Sequence, residues 1–293
     1  MGEMKNVLGR VIAASLITGI ALAGSQMAAN AGELPAGAER IAILQNGTLS
    51  AKEGSLFSSW TTLQGDVQKF EVAGNLIGAL NTDGTLHVKE GSLGATWTEQ
   101  ARNVKDFRLS SNRIAVLRTD GTLVVKEGLH GAFVEQSADV TDFEVTNNRI
   151  GVVTKNGEAH VKQGDLFAAW TQQASGVKDL ELTGTRVGVI RTDATAAVKD
   201  GAGAFVEQAS GIRDLELSGD RIGVVSDGGD ALVKDGLFGA WSQQASNVAD
   251  LELTSTRVAV LFTDGTAAVK SAQGSFADQA SGAQQIGLAA PSA

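Results

Sequence analysis

A short segment that recurs seven times along the chain is the feature that most limits its fold. Each copy has arginine or leucine, then isoleucine or valine, then glycine or alanine, and then two further aliphatic residues. The copies begin at Arg40, Leu76, Arg113, Arg149, Arg186, Arg221 and Arg257, which are 35 to 37 residues apart. A fixed period of roughly 20–50 residues is typical of solenoids, propellers and other repeat arrays. The chain is therefore built from seven copies of one supersecondary unit.

The third copy shows four segments with the pattern of β-strands. Residues 106–109 alternate polar and apolar side chains, and residues 113–117 are almost continuously apolar. Two further segments follow at residues 123–126 and 133–136. Asp120-Gly121 lies between the second and third segments and is typical of a hairpin turn, because glycine accommodates positive φ. Since no repeat shows a sustained helical period, the sequence predicts an all-β chain.

Four short strands in each of seven repeats predict a seven-bladed β-propeller with one four-stranded sheet per blade. A parallel β-helix is the alternative, but a tight Asp-Gly hairpin does not belong in its coils. The repeats begin at a second strand, at Arg40, whereas residues 285–288 near the C-terminus match the first-strand segment 250–253. We therefore expect the C-terminal strand to join the N-terminal blade and close the ring, which leaves no open sheet edge there.

The N-terminal residues have the pattern of a secretory signal peptide. Lys5 precedes an apolar run over residues 11–24, and Ala29-Asn30-Ala31 matches an A-x-A cleavage site. The run is shorter than the roughly 20 residues that a transmembrane helix needs. The predicted organisation is a signal peptide over residues 1–31, a linker over residues 32–39 and a propeller domain over residues 40–293. We expect a secreted, extracellular protein.

Composition and motifs exclude several classes of function. The formal net charge of −9 disfavours nucleic acid, whose binding depends on phosphate neutralisation by Lys and Arg, and it argues against a polybasic membrane contact. The chain has no cysteine, no H-E-x-x-H motif and no G-x-S-x-G motif, and its three histidines do not form a common site. We therefore expect no cofactor, no metal and no catalytic residue.

An aromatic residue opens the predicted fourth strand of every repeat. The series is Trp60, Trp97, Phe133, Trp170, Phe205, Trp241 and Phe276. Exchange of Trp and Phe at one position favours a space-filling role between blades, whereas a functional role would make the tryptophans platforms for sugar rings. The preceding loops add Phe57, Phe167 and Phe238, which are unusually apolar for loop positions. The predicted contact residues for a ligand or partner are Trp60, Trp97, Trp170, Trp241, Phe57, Phe167 and Phe238.

Two acidic series also follow the repeat. Glutamates stand in five predicted first strands, at positions 71, 144, 181, 216 and 252, and aspartates precede them at positions 106, 142, 179, 214 and 250. Partly buried arginine–carboxylate pairs between blades are the structural interpretation, and a charged central channel is the functional alternative. The aspartates are expected to cap turns where the first strands begin. A calcium site there is disfavoured, because no Asp-x-Asp-x-Asp loop is present.

The repeat core N-R-I-A-V-L-R-T-D-G-T-L-V-V-K-E-G, residues 112–128, resembles the tachylectin-like repeats of secreted actinobacterial proteins. The resemblance covers nearly all of the chain after the predicted signal peptide. It implies a lectin β-propeller with glycan sites between its blades, and similar propellers are the lectin subunits of antibacterial umbrella toxin particles. This chain departs from the better-known pattern in its shorter repeat and its lack of tyrosine.

These observations together predict a secreted, non-enzymatic propeller that binds cell-surface carbohydrate as the targeting subunit of a toxin complex. A protein–protein interaction scaffold that uses one face of the ring is the alternative. A secreted hydrolase is the third hypothesis, because carboxylates are plentiful in the chain.

Overall fold

The structure is a computed structural model that describes residues 39–271 and 274–290. This part of the chain contains 28 β-strands and no helix, arranged as seven antiparallel four-stranded sheets. The sheets are the seven blades of a β-propeller, as the repeat period predicted. The signal peptide predicted for residues 1–31 and the linker residues 32–38 lie outside the described residues and stay predictions.

The blades are numbered from the N-terminus, and each has an inner, a second, a third and an outer strand. Blade 1 contains β28 (Ala283–Ala289), β1 (Arg40–Gln45), β2 (Thr48–Glu53) and β3 (Thr61–Gln64). Blade 2 contains β4 (Val67–Ala73), β5 (Leu76–Asn81), β6 (Leu86–Glu90) and β7 (Thr98–Ala101). Blade 3 contains β8 (Val104–Leu109), β9 (Arg113–Arg118), β10 (Leu123–Glu127) and β11 (Val134–Ser137).

The remaining blades repeat this order. Blade 4 contains β12 (Val140–Val145), β13 (Arg149–Thr154), β14 (Ala159–Gln163) and β15 (Thr171–Ala174). Blade 5 contains β16 (Val177–Leu182), β17 (Arg186–Arg191), β18 (Ala196–Asp200) and β19 (Val206–Ala209). Blade 6 contains β20 (Ile212–Ser218), β21 (Arg221–Ser226), β22 (Ala231–Asp235) and β23 (Ser242–Ala245). Blade 7 contains β24 (Val248–Leu253), β25 (Arg257–Phe262), β26 (Ala267–Ser271) and β27 (Ala277–Ala280).

The ring is closed by pairing of the two ends of the chain. Strand β28 pairs antiparallel with β1, in a register that runs from Arg40 opposite Ala289 to Gln45 opposite Ala283. The Gln45 side chain adds a hydrogen bond from Nε2 to the Ser281 carbonyl at 2.6 Å. This arrangement confirms the expected closure, in which the last strand of the chain is the inner strand of the first blade.

The ring has two faces with different connections. The loop face carries the turns from inner to second strands and the loops from third to outer strands, which are joined by bonds such as Gly91 N–H to Asn75 O at 3.0 Å. The return face carries the hairpins from second to third strands and the connections to the next blade. There the first N–H of each inner strand bonds to the hairpin of the preceding blade. These pairs are Val67–Gly47, Val104–Gly84, Val140–Gly121, Val177–Gly157, Ile212–Ala194, Val248–Gly229 and Ala283–Gly265.

The hydrophobic core lies between neighbouring blades. The cluster between blades 5 and 6, for example, joins Ile190 and Val198 to Leu215 and Leu217. Gly188 stands at the centre of a second strand, where an added Cβ would lie 2.8 Å from Leu215 Cδ2 of the next blade. Such an approach is too close for any side chain in a packed interior. The same close approach of the next blade explains the glycine at this position in four copies, Gly78, Gly151, Gly188 and Gly223.

Candidate functional site

Three loops of the loop face present an exposed phenylalanine. Phe57, Phe167 and Phe238 are 84%, 80% and 85% exposed, and no other large hydrophobic residue in the described ranges is exposed. They belong to blades 1, 4 and 6, between the third and outer strands. Most of their apolar surface therefore meets water, which is typical of contact residues rather than of core residues. The structure places all three predicted phenylalanines on one face.

The leucine before each phenylalanine explains its exposure. Leu166 packs between blades 3 and 4, and its carbonyl accepts a hydrogen bond from Lys162 Nζ at 2.6 Å. Leu237 is held in the same way by Lys234 Nζ at 2.9 Å. Because leucine and lysine fasten the start of the loop to the blade, the next side chain projects into solvent. Gly94 and His130 occupy this projecting position in blades 2 and 3.

The four predicted tryptophans are half-buried between blades. Their rings pack against the clusters shared with the preceding blade, as Trp60 does against Ile41 and Leu261. A lysine of the same blade also lies over each ring, at 4.6–4.9 Å from Nζ to the ring centroid. These pairs are Lys52–Trp60, Lys89–Trp97, Lys162–Trp170 and Lys234–Trp241. The cation–π contact occupies one ring face and supports the space-filling interpretation, while a sugar contact stays a prediction.

The aromatic series sits just before the outer strands rather than within them. Strand β3 begins at Thr61, directly after Trp60, and β23 begins at Ser242, directly after Trp241. Each tryptophan therefore ends the loop that contains the exposed position. The predicted fourth strand was one residue too long at its start, because the ring packs inward where the chain turns into the strand.

A pocket of about 460 Å³ opens between blades 6 and 7. Its walls come from the turn before β21, the ends of β22 and β23, and the facing turn and third strand of blade 7. The lining residues include Asp220, Arg221, Asp235, Ala240, Ser242, Gln244, Ser255 and Lys270. Phe238 stands two residues before Ala240 in the same loop. The pocket thus combines hydroxyl, amide and charged groups, and the loop that supplies Ala240 to its wall also carries the exposed Phe238 ring.

The repeated arginines join each blade to the next on the loop face. Arg40 binds Glu53 of its own blade at 2.9 Å and donates to the carbonyls of Gly74 and Gly91 in blade 2. The same pattern recurs at Arg113, whose guanidinium contacts Glu127 and the Gly164 carbonyl of blade 4. Within their own blades, these two arginines pair with the acid at the end of the third strand. Arginine–carboxylate pairs between blades also occur, as expected, at Arg186–Asp220 (3.1 Å) and Arg257–Glu39 (2.6 Å).

The glutamates instead line the central channel. Glu71, Glu144, Glu181, Glu216 and Glu252 surround a cavity of about 170 Å³ along the axis, together with Arg108. Arg108 bridges Glu71 at 3.1 Å and Glu144 at 3.4 Å. This arrangement matches the charged-channel alternative. The aspartates two residues earlier lie within the inner strands and do not cap turns, so the expectation that they do was wrong. A bulge follows the first residue of the inner strand in each of blades 2 to 7.

Two of these aspartates converge on one amide. The Leu180 N–H donates to Asp142 Oδ2 at 2.8 Å and to Asp179 Oδ1 at 3.1 Å. Burial and the neighbouring Asp179 charge raise the pKa of Asp142 well above its ordinary range. Asp106 is the opposite case: burial raises its pKa, but Lys69 and Arg108 outweigh that effect, so the pKa lies below the ordinary range. The channel therefore contains one carboxyl that favours its proton and one that favours its charge.

We expect Asp142→Asn to stabilise the fold at neutral pH. The amide keeps an oxygen for the Leu180 N–H and carries no charge. In the wild type, the folded state retains the Asp142 proton above the pH at which the unfolded chain releases it, so stability falls as the pH rises towards the raised pKa. The gain in the free energy of unfolding should be roughly 0.5–3 kcal/mol at pH 8 and should vanish near pH 4. Urea unfolding at both pH values measures this difference.

Asp106→Asn is the matched control and should have the opposite sign. It removes the closer of the two ion-pair partners of the buried Lys69 ammonium and leaves only Glu71, at 3.4 Å, so it should destabilise the protein at pH 8. The effect should shrink as the pH falls from the ordinary carboxyl range towards the lowered pKa of Asp106. Equal effects of the two substitutions would contradict this account of the channel.

The other titratable groups of the described residues do not assemble a metal centre. Within residues 39–271 and 274–290, no group of three or more His, Asp or Glu side chains has a metal-binding arrangement. His160 lies 3.6 Å from Glu158, and both side chains are at the blade surface. The same ranges contain no helix that could span a membrane.

Sequence analysis predicted Phe238 as a contact residue. It did not predict Arg221 and Lys270, which line the pocket. A signal was present, since an arginine begins each second strand except at Leu76 and a lysine stands near the end of every third strand. Only the packing of blades shows that the arginine of one blade approaches the lysine of the next. The burial of the tryptophans likewise depends on the preceding blade.

No protein-family model and no curated protein matches this chain. Solved structures similar to it are propellers of low sequence identity. Yeast RCC1 (Prp20) is 9% identical over 93% of this chain and 91% of that chain, with a TM-score of 0.61. Hsv2 from Kluyveromyces lactis is 15% identical over 78% and 88% of the two chains, with a TM-score of 0.56. The tricorn protease is 10% identical over 86% of this chain but only 34% of its own, with a TM-score of 0.63. These similarities establish the fold.

Proposed function

We propose that this protein is a secreted, non-enzymatic binding propeller that recognises carbohydrate on the surface of another cell. The observation that carries the proposal is the pocket between blades 6 and 7, one wall of which is formed by the loop that also carries the exposed Phe238. Ser242, Ser255 and Gln244 offer donors and acceptors for sugar hydroxyls, and the exposed ring offers an apolar face for the C–H groups of a sugar. The volume of about 460 Å³ lies within the range of small-ligand sites.

The resemblance of the repeats to tachylectin-like proteins supports the same proposal and extends it. By that resemblance, the propeller is the lectin subunit that selects the target cell for a secreted toxin complex. Export depends on the signal peptide predicted at residues 1–31. Purification from culture supernatant through a tag on this chain tests whether the protein belongs to such a complex. Recovery of the chain as a lone monomer would contradict that role.

Phe238→Ala should weaken glycan binding by roughly three- to tenfold, because it removes the exposed aromatic face from the loop that forms one wall of the pocket. A glycan array identifies the ligand, and isothermal titration with the purified protein measures its affinity. Phe57→Ala is the matched control, since Phe57 holds the same loop position in blade 1 and is equally exposed. The proposal fails if no glycan binds, or if the two substitutions weaken binding equally.

The three exposed phenylalanines favour a second candidate, a protein-interaction scaffold that uses the loop face. Exposed aromatic residues are frequent anchors of protein interfaces. Among proteins of similar fold, Prp20p from Saccharomyces cerevisiae has binding properties towards Gsp1p and histones. Under this hypothesis a triple variant with alanine at positions 57, 167 and 238 loses a partner that the wild type retains in pull-downs. Retention of that partner by the triple variant would argue against it.

A further inference from the structure

Two basic side chains from different blades converge on the pocket between blades 6 and 7. Arg221 begins the second strand of blade 6, and Lys270 lies in the third strand of blade 7. Burial and the positive charge of Arg221 both lower the pKa of Lys270. Because both side chains line one pocket, their positive charges repel each other. An anion placed between them would relieve that repulsion.

The acids around the pocket leave this positive charge poorly compensated. Asp235 lies 4.0 Å from Arg221, and its side chain is 84% exposed, whereas that of Arg221 is 15% exposed. Asp220 is directed to Arg186, at 3.1 Å. The corresponding pairs in blades 1 and 3 are tighter, since Arg40–Glu53 and Arg113–Glu127 both measure 2.9 Å. The pair in blade 6 is therefore loose and solvent-screened.

Arg221 is nevertheless held in a defined position. Its Nη1 donates to the carbonyls of Thr254 and Arg257 in blade 7, at 2.6 and 2.8 Å. These bonds orient the guanidinium at the junction and reduce the entropy that a ligand contact would cost. Lys270 is oriented as well, because its Nζ lies 4.9 Å from the centroid of the Phe276 ring. The two cations thus form a preorganised pair.

We propose that this pocket binds the carboxylate or sulfate group of an acidic sugar residue. The anion lies between Arg221 and Lys270, and the neighbouring Ser242 and Gln244 contact the sugar hydroxyls. This inference rests on the proposed carbohydrate function and specifies the chemical class of its ligand.

Lys270→Met tests the inference with a close internal control. Methionine removes the charge but retains much of the apolar stem that covers Phe276. Lys126→Met makes the same change over Phe133, also at 4.9 Å, and Leu76 replaces the arginine of the preceding blade at that junction. Binding of a glucuronic-acid disaccharide, measured by titration, should weaken roughly tenfold in Lys270→Met and remain unchanged in Lys126→Met. Thermal melts of both variants report any common loss of stability.

Asp235→Asn distinguishes ligand binding by the two cations from a purely structural role for them. It removes the loose negative partner of Arg221, so the acidic disaccharide should bind several-fold more tightly, and added salt should weaken binding in every case. A sulfated counterpart distinguishes the two anions, and preference for either one over a neutral disaccharide supports the proposal. Equal binding of neutral and acidic sugars, with no gain in Asp235→Asn, would overturn this inference but leave the proposed function intact. Absence of binding by any saccharide would overturn both.

Discussion

Deletion of residues 284–293 should abolish the cooperative unfolding transition of the propeller. The deletion removes nearly all of β28, including the fully buried Ile286, and breaks the pairing with β1 that closes the ring. It also removes Gln285, whose side chain accepts from the Phe70 N–H at 3.1 Å and donates to the Phe70 carbonyl at 2.8 Å. The loss should be comparable to the whole stability of a typical domain, about 5–15 kcal/mol. Circular dichroism during heating measures it.

Deletion of residues 290–293 is the control for this experiment. These residues follow the end of β28 at Ala289, so their loss should leave the melting temperature unchanged. Limited proteolysis should cut the longer deletion rapidly, because its open blade edges expose backbone that the closed ring protects. A protein without residues 284–293 that melts like the full chain would contradict closure by β28.

Arg40→Ala should destabilise the propeller by about 3–5 kcal/mol, the usual effect of breaking a buried ion pair. The Arg40 side chain is only 1% exposed, and it links Glu53 of blade 1 to two carbonyls of blade 2. Alanine leaves these acceptors without their donor and leaves a cavity between the blades. Urea denaturation measures the change in the free energy of unfolding.

Arg102→Ala separates the effect of burial from that of charge. Arg102 pairs with Glu99 at 2.7 Å, but their side chains are largely solvent-exposed. Exposed pairs contribute little, so the loss should be far smaller than that of Arg40→Ala. If Arg40→Ala and Arg102→Ala had similar effects, the loop-face arginines would not hold the blades together.

The fold could be predicted because its signals are local and repeated. Asp83-Gly84 illustrates this: Asp83 Oδ1 accepts the Thr85 N–H at 2.8 Å, and Gly84 has a φ of 79°. Such a turn is encoded by adjacent residues and recurs with each repeat. The offset between Arg40 and the segment 285–288 likewise predicted the closure, since it required only a comparison of the two ends of the chain.

Side-chain partners could not be predicted in the same way. Glu181 and Arg186 are close in sequence and on paired strands, yet Glu181 lines the channel and Arg186 binds Asp200 on the loop face. The pairing register explains the difference, because Glu181 lies opposite Gly188 and Arg186 lies opposite Asp200. Proximity in sequence predicted the strands correctly but did not identify Asp200 as the partner of Arg186.

The amino-acid pattern alone determines the seven blades, their four strands and the exposed leucine–phenylalanine loops, because alternation and turn geometry depend on neighbouring residues. Tertiary structure decides what the recurring charged residues do. Arg221 and Lys270 are far apart in the chain and meet only because blade 6 packs against blade 7. Each blade junction combines two imperfect copies of the repeat, so its pocket and charge depend on substitutions in both copies. The scaffold could therefore be predicted from the repeat, whereas the pocket could be identified only once the blades were packed into the ring.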